Sequence, residues 1–157
     1  MSEVRVVEAE PSAQGRRVAI VAARFNDFIV TSLLKGATEA WREHGGAAGD
    51  LLVARVPGAF ELPVVARKLG ASRRYDALVA LGCVIRGDTP HFEYVAGACA
   101  RGLQLASLET GVPIAFGVLT VNTAEQALER AATTGANKGA EAMRTALEMA
   151  GLLARLE

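Results

Sequence analysis

The sequence predicts an α/β fold, a three-layer α/β/α sandwich built on a four-stranded parallel sheet. Three observations predict it. Apolar, β-branched runs recur four times; each is followed by a stretch with helical spacing; and each breaks off in a loop of unusual residue types. A continuous apolar run marks a strand covered on both faces, and strands separated by helix-length stretches join into one parallel sheet through right-handed crossovers.

After a polar lead from Glu8 to Arg16, Arg17–Ala23 reads as the first strand and ends in Arg24-Phe25-Asn26. From Asp27, residues Val30, Leu33, Leu34, Ala37 and Trp41 fall at i, i+3, i+4, i+7 and i+11, one stripe of a helix that His44 and Gly45-Gly46 terminate. Leu51–Val56 is the second strand, and after Pro57-Gly58 a helix is expected from Glu61 to about Leu69. Asp76–Cys83 is the third strand. A polar loop leads to a long helix ending near Glu109, with Thr89 as its N-cap and Pro90 in its first turn. Pro113–Leu119 is the fourth strand, followed by helices at Ala124–Ala132 and from Lys138 to the end.

At 157 residues the chain is expected to form a single domain, residues 1–157, with 1–16 as an N-terminal extension. Seventeen basic residues balance seventeen acidic ones, so no positive excess exists to neutralise nucleic-acid phosphates. No apolar run approaches the ~20 residues of a membrane span, and the first residues lack the apolar segment of a signal peptide. The expectation is a cytoplasmic protein without membrane or nucleic-acid partners. Cys83 and Cys99 lack the companions of a zinc site or a disulfide framework, so both read as buried thiols, with no metal. Apolar residues make up 51% of the chain but aromatics only 5%, so part of the surface reads as aliphatic and covered by other subunits.

Ligands of open α/β sheets bind beyond the carboxyl ends of the strands, and a concave site built from all four such loops is expected here. Phe25 and Phe60 lie in loops where no packing stripe demands a ring; each is either a stacking face for a flat heterocycle or a plug into the core. Glu61 either receives substrate hydroxyls or complements a helix dipole. Gly87-Asp88-Thr89-Pro90 either holds an anion on free amides or is simply a well-made helix start, and Asp88 demands nearby cations, with Arg130 and Lys138 the candidates. His91, in a first helical turn, is expected to be neutral and able to accept a proton, or else to be a packing residue. Phe116 lies within a strand and reads as core. Phosphate-loop, dinucleotide-binding and serine-hydrolase motifs are absent from the sequence.

Taken together, Arg24-Phe25-Asn26, Val56-Pro-Gly-Ala-Phe-Glu-Leu-Pro63, Gly82-Cys-Val-Ile-Arg-Gly-Asp-Thr-Pro-His-Phe-Glu-Tyr-Val95, Phe116-Gly-Val-Leu-Thr120 and Asn137-Lys-Gly-Ala-Glu141 resemble the 6,7-dimethyl-8-ribityllumazine synthase family. The resemblance runs in order from about Val18 to the C-terminus. It implies a transferase of riboflavin biosynthesis that condenses 5-amino-6-(D-ribitylamino)uracil with 3,4-dihydroxy-2-butanone 4-phosphate, releasing phosphate and water without a cofactor. By resemblance Phe25 stacks on the pyrimidinedione; Ala59, Phe60 and Glu61 hold the ribityl chain; and Cys83, Val84 and Ile85 lie along the ring edge. Asp88 and Thr89 offer amides to the phosphate with Arg130 as counter-charge, His91 moves protons, and Phe116, Lys138 and Glu141 complete the pocket.

The same resemblance implies a homopentamer with sites between neighbours and the N-terminal segment added as a strand to a neighbouring subunit's sheet. An uninserted turn at Ala132–Asn137 further implies an icosahedral shell, with riboflavin synthase as a further partner. Two rivals stand beside it: the archaeal type of riboflavin synthase, against which the full Gly87–His91 loop argues, and a flavin-binding or shell-forming protein without turnover.

Overall fold

The computed structural model describes residues 3–157. Its sheet has four strands, β1 (Val18–Ala23), β2 (Leu51–Val56), β3 (Ala77–Ile85) and β4 (Ile114–Val121), all parallel and in the order β2-β1-β3-β4. Five α-helices connect or follow them: α1 (Asp27–Glu43), α2 (Leu62–Ala71), α3 (His91–Thr110), α4 (Ala124–Arg130) and α5 (Lys138–Arg155). Met1 and Ser2, the start of the expected extension, lie outside the described residues.

Alternation along the central strands creates the three layers. Val18, Ile20 and Ala22 of β1 join Val79 and Leu81 of β3 under α1 and α5, where Leu33, Trp41, Met143 and Leu147 complete one core. Ala19, Val21 and Ala23 face the other way with Leu78 and Ala80, under Leu62 and Ala66 of α2 and Cys99 and Leu103 of α3. Because both sides of β1 and β3 are covered, these strands must be apolar throughout, and this is the physical origin of the unbroken runs in the sequence. Edge strand β2 is half open on its surface, and its runs are correspondingly interrupted by Arg55.

The element boundaries move where the main chain overrides side-chain character. Strands β3 and β4 each run two residues past the expected end, because Val84 and Ile85 stay in register with Thr120 and Val121; ladder bonds are indifferent to the polarity of a threonine. The start of α3 is a correction. Thr89 is not the N-cap and Pro90 is not within the helix: Pro90 occupies the cap position and His91 is the first helical residue. Pro90 has φ −71° and ψ 4°, outside the helical basin, so regular helix begins one residue later; the Thr89 Oγ1 still accepts the His91 amide at 3.4 Å.

Phe116 is a second correction. It lies in β4 as expected but is 48% exposed, since β4 is the outermost strand and strand periodicity does not distinguish a covered face from an open edge. Helix α5 is docked closely on α1: Gly139 lies against the Leu33 backbone, and the buried amide of Asn137 donates to the carbonyls of Ser32, Ala131 and Ala132 while its Oδ1 caps Ala140. Within the lead segment, Glu8, Ala9 and Ala13 touch their own chain. The Ala13 amide donates to the His44 carbonyl at 2.9 Å, Arg155 donates to the Glu8 carbonyl, and Ala9 packs against Gly151.

Candidate active site

Strand order reverses between β1 and β3, so the loops leaving their carboxyl ends diverge and open a crevice. Asn26 sets its floor. This residue has left-handed backbone (φ 61°), which asparagine tolerates better than most side chains, and its amide donates to the Cys83 carbonyl at 2.8 Å. Chain pairing continues past the strands through Arg24 N–H to the Val56 carbonyl and Phe25 N–H to the Pro57 carbonyl, fixing Phe25 beside the β2 loop.

Two adjoining hollows fill this crevice. The larger, about 530 Å³, is lined by Phe25, the Pro57–Glu61 loop, His91, Tyr94 and Val95. The other, about 270 Å³, shares Phe25, Ala59, His91 and Val95 and adds Cys83, Val84, Ile85, Gly87, Thr89 and Phe92. Phe25 and Phe60 are 71% and 60% exposed, so neither plugs the core; both present ring surface to the cleft. Burial pushes the Cys83 thiol up to about 11, which keeps it protonated near neutrality and leaves it an apolar wall rather than a nucleophile. Asp88 stands on the exposed loop beside Thr89 and lines neither hollow.

The remaining candidates gather elsewhere. Phe116, Arg130, Lys138 and Glu141 line a hollow of about 480 Å³ along β4, together with Ala142 and Thr145. Lys138 Nζ pairs with Glu141 at 3.2 Å, which explains how a cation is tolerated at a helix N-terminus, and Arg130 Nη1 donates to the Gln126 carbonyl at 3.0 Å. This hollow shares no lining residue with the other two. The single four-loop site expected from the sequence is therefore corrected: three loops form the cleft, while Thr120 faces the β4 hollow and Asn122 is tied to Arg86.

A family model for 6,7-dimethyl-8-ribityllumazine synthase matches residues 15–154, a span that contains every residue of both groups. The chain belongs to the 6,7-dimethyl-8-ribityllumazine synthase family. It is thus a transferase with lumazine synthase activity in riboflavin biosynthesis. Among the described residues, no helix is long and apolar enough to cross a membrane.

Within this lumazine synthase fold, sequence reasoning missed Tyr94 and Val95 as cleft residues. Their spacing of three and four from His91 was the available signal, since a helix places these positions on one face. It also missed Arg86, whose guanidinium lies 4.4 Å from the Phe92 ring centroid, pairs with Glu93 and donates through Nε to Asn122 at 3.0 Å. The hydrogen bond and charge of Arg86 hold the Glu93 carboxyl below the usual carboxylate range.

Proposed function

We propose that this enzyme condenses 5-amino-6-(D-ribitylamino)uracil with 3,4-dihydroxy-2-butanone 4-phosphate to 6,7-dimethyl-8-ribityllumazine, releasing phosphate and water, at a site shared by two copies of the chain. The observation that carries this reading is the separation of the candidates into two disjoint groups. One is an aromatic-walled cleft with a histidine; the other holds the guanidinium and ammonium that a phosphorylated substrate needs.

In this reading the pyrimidinedione stacks on Phe25, the ribityl chain lies against Ala59, Phe60 and Glu61, and Cys83, Val84 and Ile85 border the ring. Asp88 and Thr89 turn backbone amides toward the phosphate, whose counter-charge is Arg130 of the neighbouring copy. Phe116, Lys138 and Glu141 close the same side. The substrate's own amine attacks the ketone, so Lys138 forms no Schiff base. His91 takes and returns protons during imine formation and loss of phosphate. Holding two reactants in register contributes roughly 7–11 kcal/mol at most, and proton transfer adds about 10²- to 10⁴-fold.

The chain acts as one domain with residues 1–16 as an extension that adds a strand to a neighbour's sheet, in a homopentamer that closes into an icosahedral shell in the cytoplasm, with riboflavin synthase as a further partner. The assembly is supported by bare apolar side chains, among them Phe28, Val64, Tyr94 and Leu108, whose exposure in water is unfavourable. The test mixes the purified chain with both substrates and follows lumazine fluorescence and released phosphate while light scattering reports particle mass. Stoichiometric lumazine and phosphate from a multi-chain particle support the reading; binding without product overturns it.

A further inference from the structure

Helix α3 carries His91 in its first turn, whose one side-chain acceptor is the Thr89 Oγ1, 3.4 Å from the His91 amide. Its N-cap is Pro90, which makes no side-chain cap and has no N–H, so the glutamate at the third helical position, Glu93, has no partner for a capping box. Glu93 turns instead to Arg86. The Arg86 amide continues the β3–β4 ladder by donating to the Val121 carbonyl at 2.8 Å, which fixes its main chain to the sheet. Its guanidinium is then held in three directions: one edge on Glu93, Nε on the Asn122 Oδ1 at 3.0 Å, and its carbon over the ring of Phe92, a half-buried residue packed against the core. Phe92 and Glu93 directly follow His91, and Phe92 lines the same hollow as His91.

We propose that Arg86 is a positioning residue for the reaction, taking the place of a capping box by clamping Phe92 and Glu93 and thereby fixing the imidazole of His91 over the cleft. The proposal rests on the function proposed above. Arginine suits the task because its planar, forked cation stacks and bonds at once, which a lysine ammonium does not do. The remainder of α3 is held by its own packing, so the clamp governs the first turn rather than the fold.

A double-mutant cycle tests this, with Arg86→Met made in the wild-type chain and in the His91→Ala chain, each checked for particle mass by scattering. In the wild-type background kcat is expected to fall about ten-fold, with the apparent KM for the uracil substrate unchanged. In the His91→Ala background the same change is expected to cost less than about two-fold, because a residue acting through His91 has nothing left to position. Equal losses in both backgrounds, or none in the wild-type background, overturn the proposal while leaving the proposed function intact. Should Arg86→Met not assemble, Glu93→Gln, which keeps the arginine and loosens the clamp, is carried through the same cycle with the same criteria. A wild-type chain that forms no lumazine removes the proposed function, and this inference with it.

Discussion

The side-chain amide of Asn26 spans the crevice at the strand-order reversal to reach the carbonyl of Cys83, 2.8 Å away. One residue thus joins the end of β1 to that of β3 while holding a left-handed turn, φ 61°, that aims Phe25 at the cleft. Asn26→Ala loses the bond and places an alanine in an unfavourable conformation, at about 2 kcal/mol in total. Asn26→Gly loses the bond alone and should recover part of that loss. Urea unfolding of the three chains checks the order.

Proton transfer and phosphate binding are expected to separate kinetically. His91→Ala should lower kcat by about 10²- to 10⁴-fold without abolishing turnover, since orientation of the reactants survives. Arg130→Ala should raise the apparent KM for the phosphorylated substrate about ten- to a hundred-fold, the loss of one charge-assisted contact. Steady-state kinetics on assembled protein decide both; an unchanged KM removes Arg130 from the site.

If His91 and Arg130 meet only across a boundary between copies, the two variants rescue one another. Unfolded together and reassembled in equal amounts, they form a head-to-tail ring in which about one quarter of the shared sites receive both intact groups. The mixture should then exceed the mean activity of the separately assembled variants. An activity equal to that mean contradicts a shared site.

Burial raises both cysteine thiols, Cys83 and Cys99, from the ordinary 9.0 to about 11. Between these values the unfolded chain has lost protons that the folded chain retains, so stability is full below pH 9 and declines as pH rises toward about 11. Denaturant midpoints should fall over this window, and more shallowly in a Cys83→Ala/Cys99→Ala chain. The same burial predicts slow alkylation of the native protein at pH 8, measurable by mass spectrometry.

Helices α1 and α5 approach so closely that a Cβ on Gly139 would lie 2.0 Å from the Leu33 carbonyl oxygen. Backbone on both sides cannot yield by that much. Gly139→Ala should therefore destabilise the chain by about 3 kcal/mol, read as a lowered urea midpoint. An unchanged midpoint would show that the two helices slide apart at little cost.

Fold class was legible because burial on two faces leaves unbroken apolar runs, and Val18–Ala23 and Ala77–Cys83 could be read directly. The cleft residues were legible because Phe25 and Phe60 stand where packing does not call for rings. What stayed hidden was mostly set at long range. The exposure of Phe116 depends on the place of β4 in the strand order, and the hold on Arg86 depends in part on Asn122, thirty-six positions away. Local periodicity carries no information about such partners. The separation of Arg130 from His91 within one chain was legible only through the family resemblance, since spacing alone put all four loops together.

Strands β1 and β3 have hydrogen-bonded neighbours on either side, so their amides are released to solvent only when the sheet itself parts. The base of the cleft is therefore expected to carry the slowest deuterium clock in the sheet, beneath a histidine whose helix start is tied to Arg86 through Phe92 and Glu93. Floor and rim are thus held by different means, the one by ladder bonds within the sheet and the other by an arginine anchored at its margin.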